Sequence, residues 1–281
     1  MQPAKADPGR AAAALLAAQN RDGGWGYGAG GESWTEPTAY AILGLRAHGD
    51  SSGGVEQGVA WLKKTQRPEG GWAPNPGVEV STWVTALALL VLRDNPRALG
   101  WLMDQSGRES GILERIRMWM LGARPDLDSS HRGWPWFPGA SAWVAPTAFS
   151  ILALRRYDSA PAKERLAAGR EYLLSRMCGD GGWNHGSTRA LGYEASSYPE
   201  TTGLALLALR GVSNLERSIA RAREHMRECR SAQGVCWLRL GLRAHGHSVP
   251  MQETPRRNQL DVALYLLAAA AEGNRNPLLE A

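Results

Sequence analysis

The sequence predicts an all-α fold, about six helical hairpins arranged in two concentric layers that close into a toroid. Three observations predict it. A Gly-Gly-Trp-type loop occurs four times. Each loop feeds, at a set distance, a helix that is apolar nearly all round, and such a helix must be fully buried. The last long helix, DVALYLLAAAAEG over 261–273, is as apolar as the others. A linear array needs polar capping repeats at its ends, so an apolar final helix favours a ring that closes on itself.

The loop tryptophans are Trp25, Trp72, Trp134 and Trp183, and the threonines opening the following helices are Thr38, Thr85, Thr147 and Thr202. The spacings are 13, 13, 13 and 19, so three units agree to the residue and the fourth carries a six-residue insertion. A polar-faced helix precedes each loop, over 10–19, 54–65, 112–122 and 162–176, and ends in a Gly-containing turn suited to a helix C-cap. The buried helices read AYAILGL (39–45), ALALLVL (86–92), AFSILAL (148–154) and GLALLAL (203–209). Residues 96–122 hold a further helix pair without a Trp loop. The scheme continues with an outer-type helix at 218–229 and inner-type helices at 236–246 and 261–273. No Gly- or Ser-rich linker divides residues 1–281, so one domain is expected.

Composition narrows the function. Twelve Trp and seven Tyr stand against two Phe, which points to repeated packing anchors or an aromatic-lined pocket. The net charge of +5 is spread thinly over helix faces and forms no basic arm, so nucleic acid is not an expected partner. The same charge leaves room for peripheral contact with an anionic membrane surface. Cys178, Cys229 and Cys236 form neither an even framework nor a CxxC pair, which points to a reducing, cytoplasmic setting. The polar N-terminus has no apolar signal core, and no apolar stretch is long enough to span a membrane.

Gln19-Asn-Arg-Asp-Gly-Gly-Trp25 and Gln66-Arg-Pro-Glu-Gly-Gly-Trp72 resemble the Gln-Trp repeats of squalene–hopene and oxidosqualene cyclases, an architecture shared with the β subunits of protein prenyltransferases. The resemblance covers nearly the whole chain and is closest to a single terpene-cyclase-like domain. It implies an (α/α)6 toroid with a central apolar cavity for an isoprenoid chain, and it implies that the loop Gln and Trp clasp neighbouring repeats. Such repeats speak for fold more than for activity. Three functions follow as alternatives: acid-initiated carbocation chemistry on a prenyl chain, non-catalytic carriage of an isoprenoid or lipid, and a prenyltransferase-like subunit that needs a partner.

In a ring of this kind the inner-helix N-termini share one mouth, where helix dipoles favour negative charge. Four residues before the threonine stand Trp34, Trp143 and Tyr198; the second unit has Ser81 there and Trp83 two residues on. These aromatic residues either face a carbocation, floor an apolar pocket or simply pack. Two residues before the threonine stand Glu36 and Glu200, candidate acids or helix caps, and Asp261 opens the last inner helix at the same rim.

The cyclases protonate their substrate with an Asp-rich DxDD motif. Pro125-Asp126-Leu127-Asp128-Ser129 is similar, making Asp126 and Asp128 further candidate acids. It departs from the motif by Ser129 and by preceding its Trp loop. No Asp-x-Cys zinc set of the prenyltransferase kind occurs, and neither Cys178 with His185 nor His225, Cys229 and Cys236 has ligand spacing. No cofactor or metal is therefore expected, except that a diphosphate substrate would bring Mg2+ with it.

Overall fold

The structure, a computed structural model, describes residues 7–50, 52–107, 120, 131–186, 189–190, 193–250, 252–273 and 275–280. Among them the chain forms α1 (Pro8–Ala17), α2 (Thr35–His48), α3 (Gly53–Thr65), α4 (Val84–Leu92), α5 (Pro96–Asp104), α6 (Val144–Leu154) and α7 (Ala160–Ser175). A short antiparallel pair, β1 (Arg189–Ala190) with β2 (Tyr193–Glu194), takes up the fourth-unit insertion. Then follow α8 (Pro199–Ala208), α9 (Glu216–Glu228), α10 (Ala232–Ala244) and α11 (Gln259–Ala270).

The inner helices form a closed circuit: α2 packs on α4, α4 on α6, α6 on α8, α8 on α10, α10 on α11, and α11 back on α2. Outside this ring α3 lies on α2 and α4, α7 on α6, and α9 on α8 and α10, while α1 bridges α2 and α11. The two layers follow from the residue patterns. In α4 and α6 nearly every side chain is buried, whereas α9 buries only the Ser218, Ala222, His225 and Met226 stripe. Close approach within the ring requires glycine at the α8–α10 contact. A Cβ on Gly203 would stand 2.3 Å from the Leu238 backbone nitrogen.

The 13-residue spacing has a direct cause. Each loop Trp donates its backbone N–H to the hydroxyl of its threonine: Trp25 to Thr38 at 2.8 Å, Trp72 to Thr85 at 2.9 Å, Trp134 to Thr147 at 2.8 Å, and Trp183 to Thr202 at 3.0 Å. Each indole N–H donates to a carbonyl of an outer helix: Leu15 at 2.7 Å, Leu62 at 2.8 Å, Leu102 at 2.8 Å and Leu173 at 2.6 Å. All four rings are fully buried, so both polar groups of each Trp are satisfied where water does not reach. The loop side chains Gln19 and Gln66 donate within their turns to the Gly23 and Gly70 carbonyls at 2.7 Å. They reach the following helix as well, Gln19 at the Gly54 carbonyl (2.8 Å) and Gln66 at Asn95 Oδ1 (3.2 Å), so they clasp neighbouring units.

The third unit departs from expectation. Its tryptophan clasps Leu102 on α5, not the helix expected at 112–122, which lies outside the described residues apart from helical Met120. Arg165 then covers Trp134, with its guanidinium carbon 3.3 Å from the ring centroid.

A main-chain bond between neighbouring units fixes how the ring closes. The carbonyl two residues after each loop Trp accepts an N–H from the start of an adjacent inner helix. Pro74 accepts from Thr35 at 2.8 Å, Trp136 from Trp83 at 3.0 Å, and His185 from Val144 at 3.0 Å. The fourth such bond runs from Gln259, the first residue of α11, to Tyr27 at 3.0 Å. The last inner helix thus meets the first loop in the same register that joins sequential units.

At the opposite end, arginines satisfy the last carbonyls of the inner helices. Arg46 donates to Val91 at 2.8 Å, Arg156 to Leu90 at 2.8 Å, Arg155 to Arg210 at 3.1 Å, and Arg243 to Ala271 at 3.2 Å.

Candidate functional site

The mouth at the inner-helix N-termini gathers most of the residues singled out by the repeat. Trp34, Trp143 and Tyr198 occupy one structural position, the extended residue that caps α2, α6 and α8. Each donates its backbone N–H to the carbonyl of its loop Trp, at 2.9, 3.0 and 2.8 Å. The shared backbone geometry leaves Trp143 and Tyr198 well exposed on the rim. His185 links them, its ring 6.2 Å from Trp143 and 5.2 Å from Tyr198. Trp34 stands edge-on to Tyr27 at 5.5 Å.

Trp83 does not belong to this collar. In the second unit Thr82, one residue later than expected, makes the bond to its loop Trp carbonyl. Trp83 is therefore in helical geometry and turns inward, with its ring 5.0 Å from Trp136 and 5.3 Å from Phe149. There it joins a buried group. Tyr40 from α2, Phe149 from α6 and Trp237 from α10 meet one another at 6.3, 6.1 and 5.7 Å. These are alternate helices of the six-membered ring, so three buried aromatic side chains meet edge to face on its axis beneath the mouth. The repeat did carry a sign of this layer. Tyr40 and Phe149 both lie two residues after the clasp threonine, where the other units carry Leu87 and Leu204. Trp237 had no such marker, because its helix follows no Trp loop.

Among the carboxylates, Glu36 lies at the mouth in the first turn of α2, half-buried, and accepts a 2.5 Å bond from the Tyr27 hydroxyl. Burial raises its carboxyl above the ordinary range, and the Tyr27 bond offsets only part of that. Tyr40, one turn further along α2, has its hydroxyl pushed well up by burial and then by the nearby Glu36 and Tyr27. Glu36 thus carries a raised carboxyl one turn before Tyr40 of the aromatic layer.

Glu200 sits at the equivalent level of α8 but leans on Gly234, where any Cβ would stand 3.0 Å from its Oε1, and acts electrostatically on Cys229 and His225 of the outer layer. Asp261 is buried and occupied: it accepts from the Arg257 backbone N–H at 2.8 Å and from Gln233 at 3.2 Å, while its own N–H donates to Asn258 at 2.9 Å. That is a helix-capping arrangement. Asp126 and Asp128 lie outside the described residues. Among the described residues no group of three His, Cys, Asp or Glu side chains stands together as a metal site, and no helix is long and apolar enough to cross a membrane.

No protein-family model matches the chain, and no curated protein matches it either. Solved structures do. A variant of the type II terpene cyclase MstE from Scytonema, in complex with its substrate geranylgeranyl dihydroxybenzoate, is 19% identical with a TM-score of 0.58, over 96% of this chain and 79% of that one. Another MstE variant, in complex with the product merosterolic acid A, is 19% identical with a TM-score of 0.55, over 94% of this chain and 96% of that one. A protein from Actinoplanes is 18% identical with a TM-score of 0.52, over 98% of this chain and 83% of that one. The helical toroid built by the four clasped loops is therefore a fold this chain shares with a type II terpene cyclase.

Proposed function

We propose that the protein is a terpene-cyclase-like enzyme that draws a prenyl chain into the inner-helix mouth and cyclises it by protonation. The observation that carries the reading is the Glu36 carboxyl, raised by burial, held by Tyr27 and one turn before Tyr40 of the aromatic layer. Supporting it, the MstE structures that share the fold hold the substrate geranylgeranyl dihydroxybenzoate and the product merosterolic acid A. In this reading the Glu36 proton adds to the terminal alkene of the chain, leaving a carbocation on the adjacent carbon. Each ring closure converts one π bond into a σ bond and moves the cation along the chain. Loss of a proton from the last cation restores neutrality, so the net reaction is an isomerisation. Trp34, Trp143 and Tyr198 guide the chain at the rim, while Trp83, Tyr40, Phe149 and Trp237 turn π faces to the migrating charge. Acid initiation draws only on side-chain protons; a diphosphate substrate would add Mg2+. Three buried free thiols fit a reducing, cytoplasmic setting, and residues 1–281 are read as one domain because the inner helices close one circuit.

The test is incubation with geranylgeranyl diphosphate and geranylgeranyl dihydroxybenzoate, with extracts analysed for cyclic isomers by mass spectrometry. Glu36→Gln is expected to lower turnover by about 100-fold or more, the contribution of a positioned general acid. An Asp126→Asn/Asp128→Asn variant that loses turnover while Glu36→Gln retains it would move the acid to that segment. Tight retention of unchanged substrate by the wild type, with no cyclic product, would overturn catalysis in favour of isoprenoid carriage.

A further inference from the structure

A cavity of about 350 Å³ lies at the other end of the toroid, where α8, α10 and α11 finish. Arg210, Arg243, Asn276 and Glu280 line it together with the apolar Ala244 and Leu279. Two guanidiniums and one carboxylate stand in this lining. Arg243 is held in place by bonds from its Nε to Ala271 and from its Nη2 to Glu272, at 3.2 and 3.1 Å. Arg46, Arg155 and Arg156 are likewise committed to carbonyls. Arg210 differs, for its exposed guanidinium makes no hydrogen bond or ion pair with the described residues.

The guanidiniums of Arg155 and Arg156 lie among other arginines, and Tyr157 and Glu280 offset part of that charge at Arg156. Burial and then Arg170 and Arg210 lower the Arg155 guanidinium, while burial and then Arg93 bring Arg156 to about 10. The carboxylate in the lining, Glu280, already faces Arg93 at 3.7 Å. A concavity with one guanidinium held in place and a second one uncommitted among the described residues offers an oxyanion its donors, and guanidinium geometry suits a phosphate.

We propose that this cavity is a binding site for a small phosphate monoester carrying an apolar substituent, with Arg210 and Arg243 on the phosphate and Ala244 and Leu279 against the substituent. The site is separate from the aromatic mouth and takes a different ligand chemistry. It does not depend on the cyclase reading.

The experiment is calorimetric titration of the intact protein with phenyl phosphate, compared with inorganic phosphate and benzyl alcohol. Saturable binding of phenyl phosphate is expected, tighter than inorganic phosphate and lost with benzyl alcohol. Arg210→Gln should weaken it about tenfold, the value of one charge-assisted contact. Glu280→Gln should strengthen it several-fold by removing a like charge. Neither side chain is buried, so unchanged thermal unfolding of both variants checks that the fold is intact. No saturable binding, equal affinity for phosphate and phenyl phosphate, or wild-type affinity in both variants would each overturn the assignment.

Discussion

Glu36 sets two effects against each other at one residue. Its place in the first turn of α2 favours the carboxylate, since the helix dipole contributes about 0.3–1 kcal/mol there. Burial favours the neutral acid, and the net shift is upward, so burial wins. A raised folded-state value means the protonated form persists to higher pH, and the stability it lends is present below the unfolded value and lost as pH rises through the folded one. Activity that needs this acid should therefore fall as pH rises through the raised Glu36 value. The Tyr27 hydroxyl pulls that value down. Tyr27→Phe should consequently move the falling limb of the pH–rate profile to higher pH, whereas Glu36→Gln should abolish the limb. An unmoved limb in Tyr27→Phe would remove Glu36 from the acid role.

At the scale of the element, the loop–helix clasp is the unit that repeats. Trp183→Phe removes the indole donor from the Leu173 carbonyl, which keeps the Arg176 N–H, and leaves a void where the pyrrole ring stood, while Thr202→Val strands the Trp183 N–H. Each is expected to cost about 1–3 kcal/mol by chemical denaturation, the first through a lost bond and a cavity, the second through a buried donor left unsatisfied. The clasp also marks how far the sequence could be read. Trp, Thr and the spacing between them are local, so the four loops, the buried helices and the cap positions of Trp34, Trp143 and Tyr198 were legible. Contacts between units, apart from the Gln clasps, were not. The choice of Leu102 as the partner of Trp134, the one-residue slip that turns Trp83 inward, and the use of Asp261 as a cap depend on which segments meet in space. The arginine-lined end was illegible for the same reason, since Arg210, Arg243 and Glu280 are scattered along the chain.

For the whole molecule, the decisive contact is the seam between α11 and α2. A Cβ on Gly44 would stand 2.7 Å from the Ala263 carbonyl oxygen, so Gly44→Ala forces the seam apart and is expected to cost about 1–3 kcal/mol. Gly100, in α5, has open space around its Cβ position, and Gly100→Ala should instead stabilise by about 0.4–1 kcal/mol. In a linear array the Gly44 change would loosen one end. In a closed ring it should lower a single cooperative thermal transition, which calorimetry distinguishes from a separate early one. The seam has one more consequence. Because Tyr27 and Gln259 are joined in the register that elsewhere links consecutive units, the ring treats the covalent break between its first and last helices as it treats any other junction. The order in which the repeats are threaded is thus a matter of connectivity alone. A circular permutant, with the two ends tethered and a new opening cut between Leu92 and Asn95, should wind into the same torus.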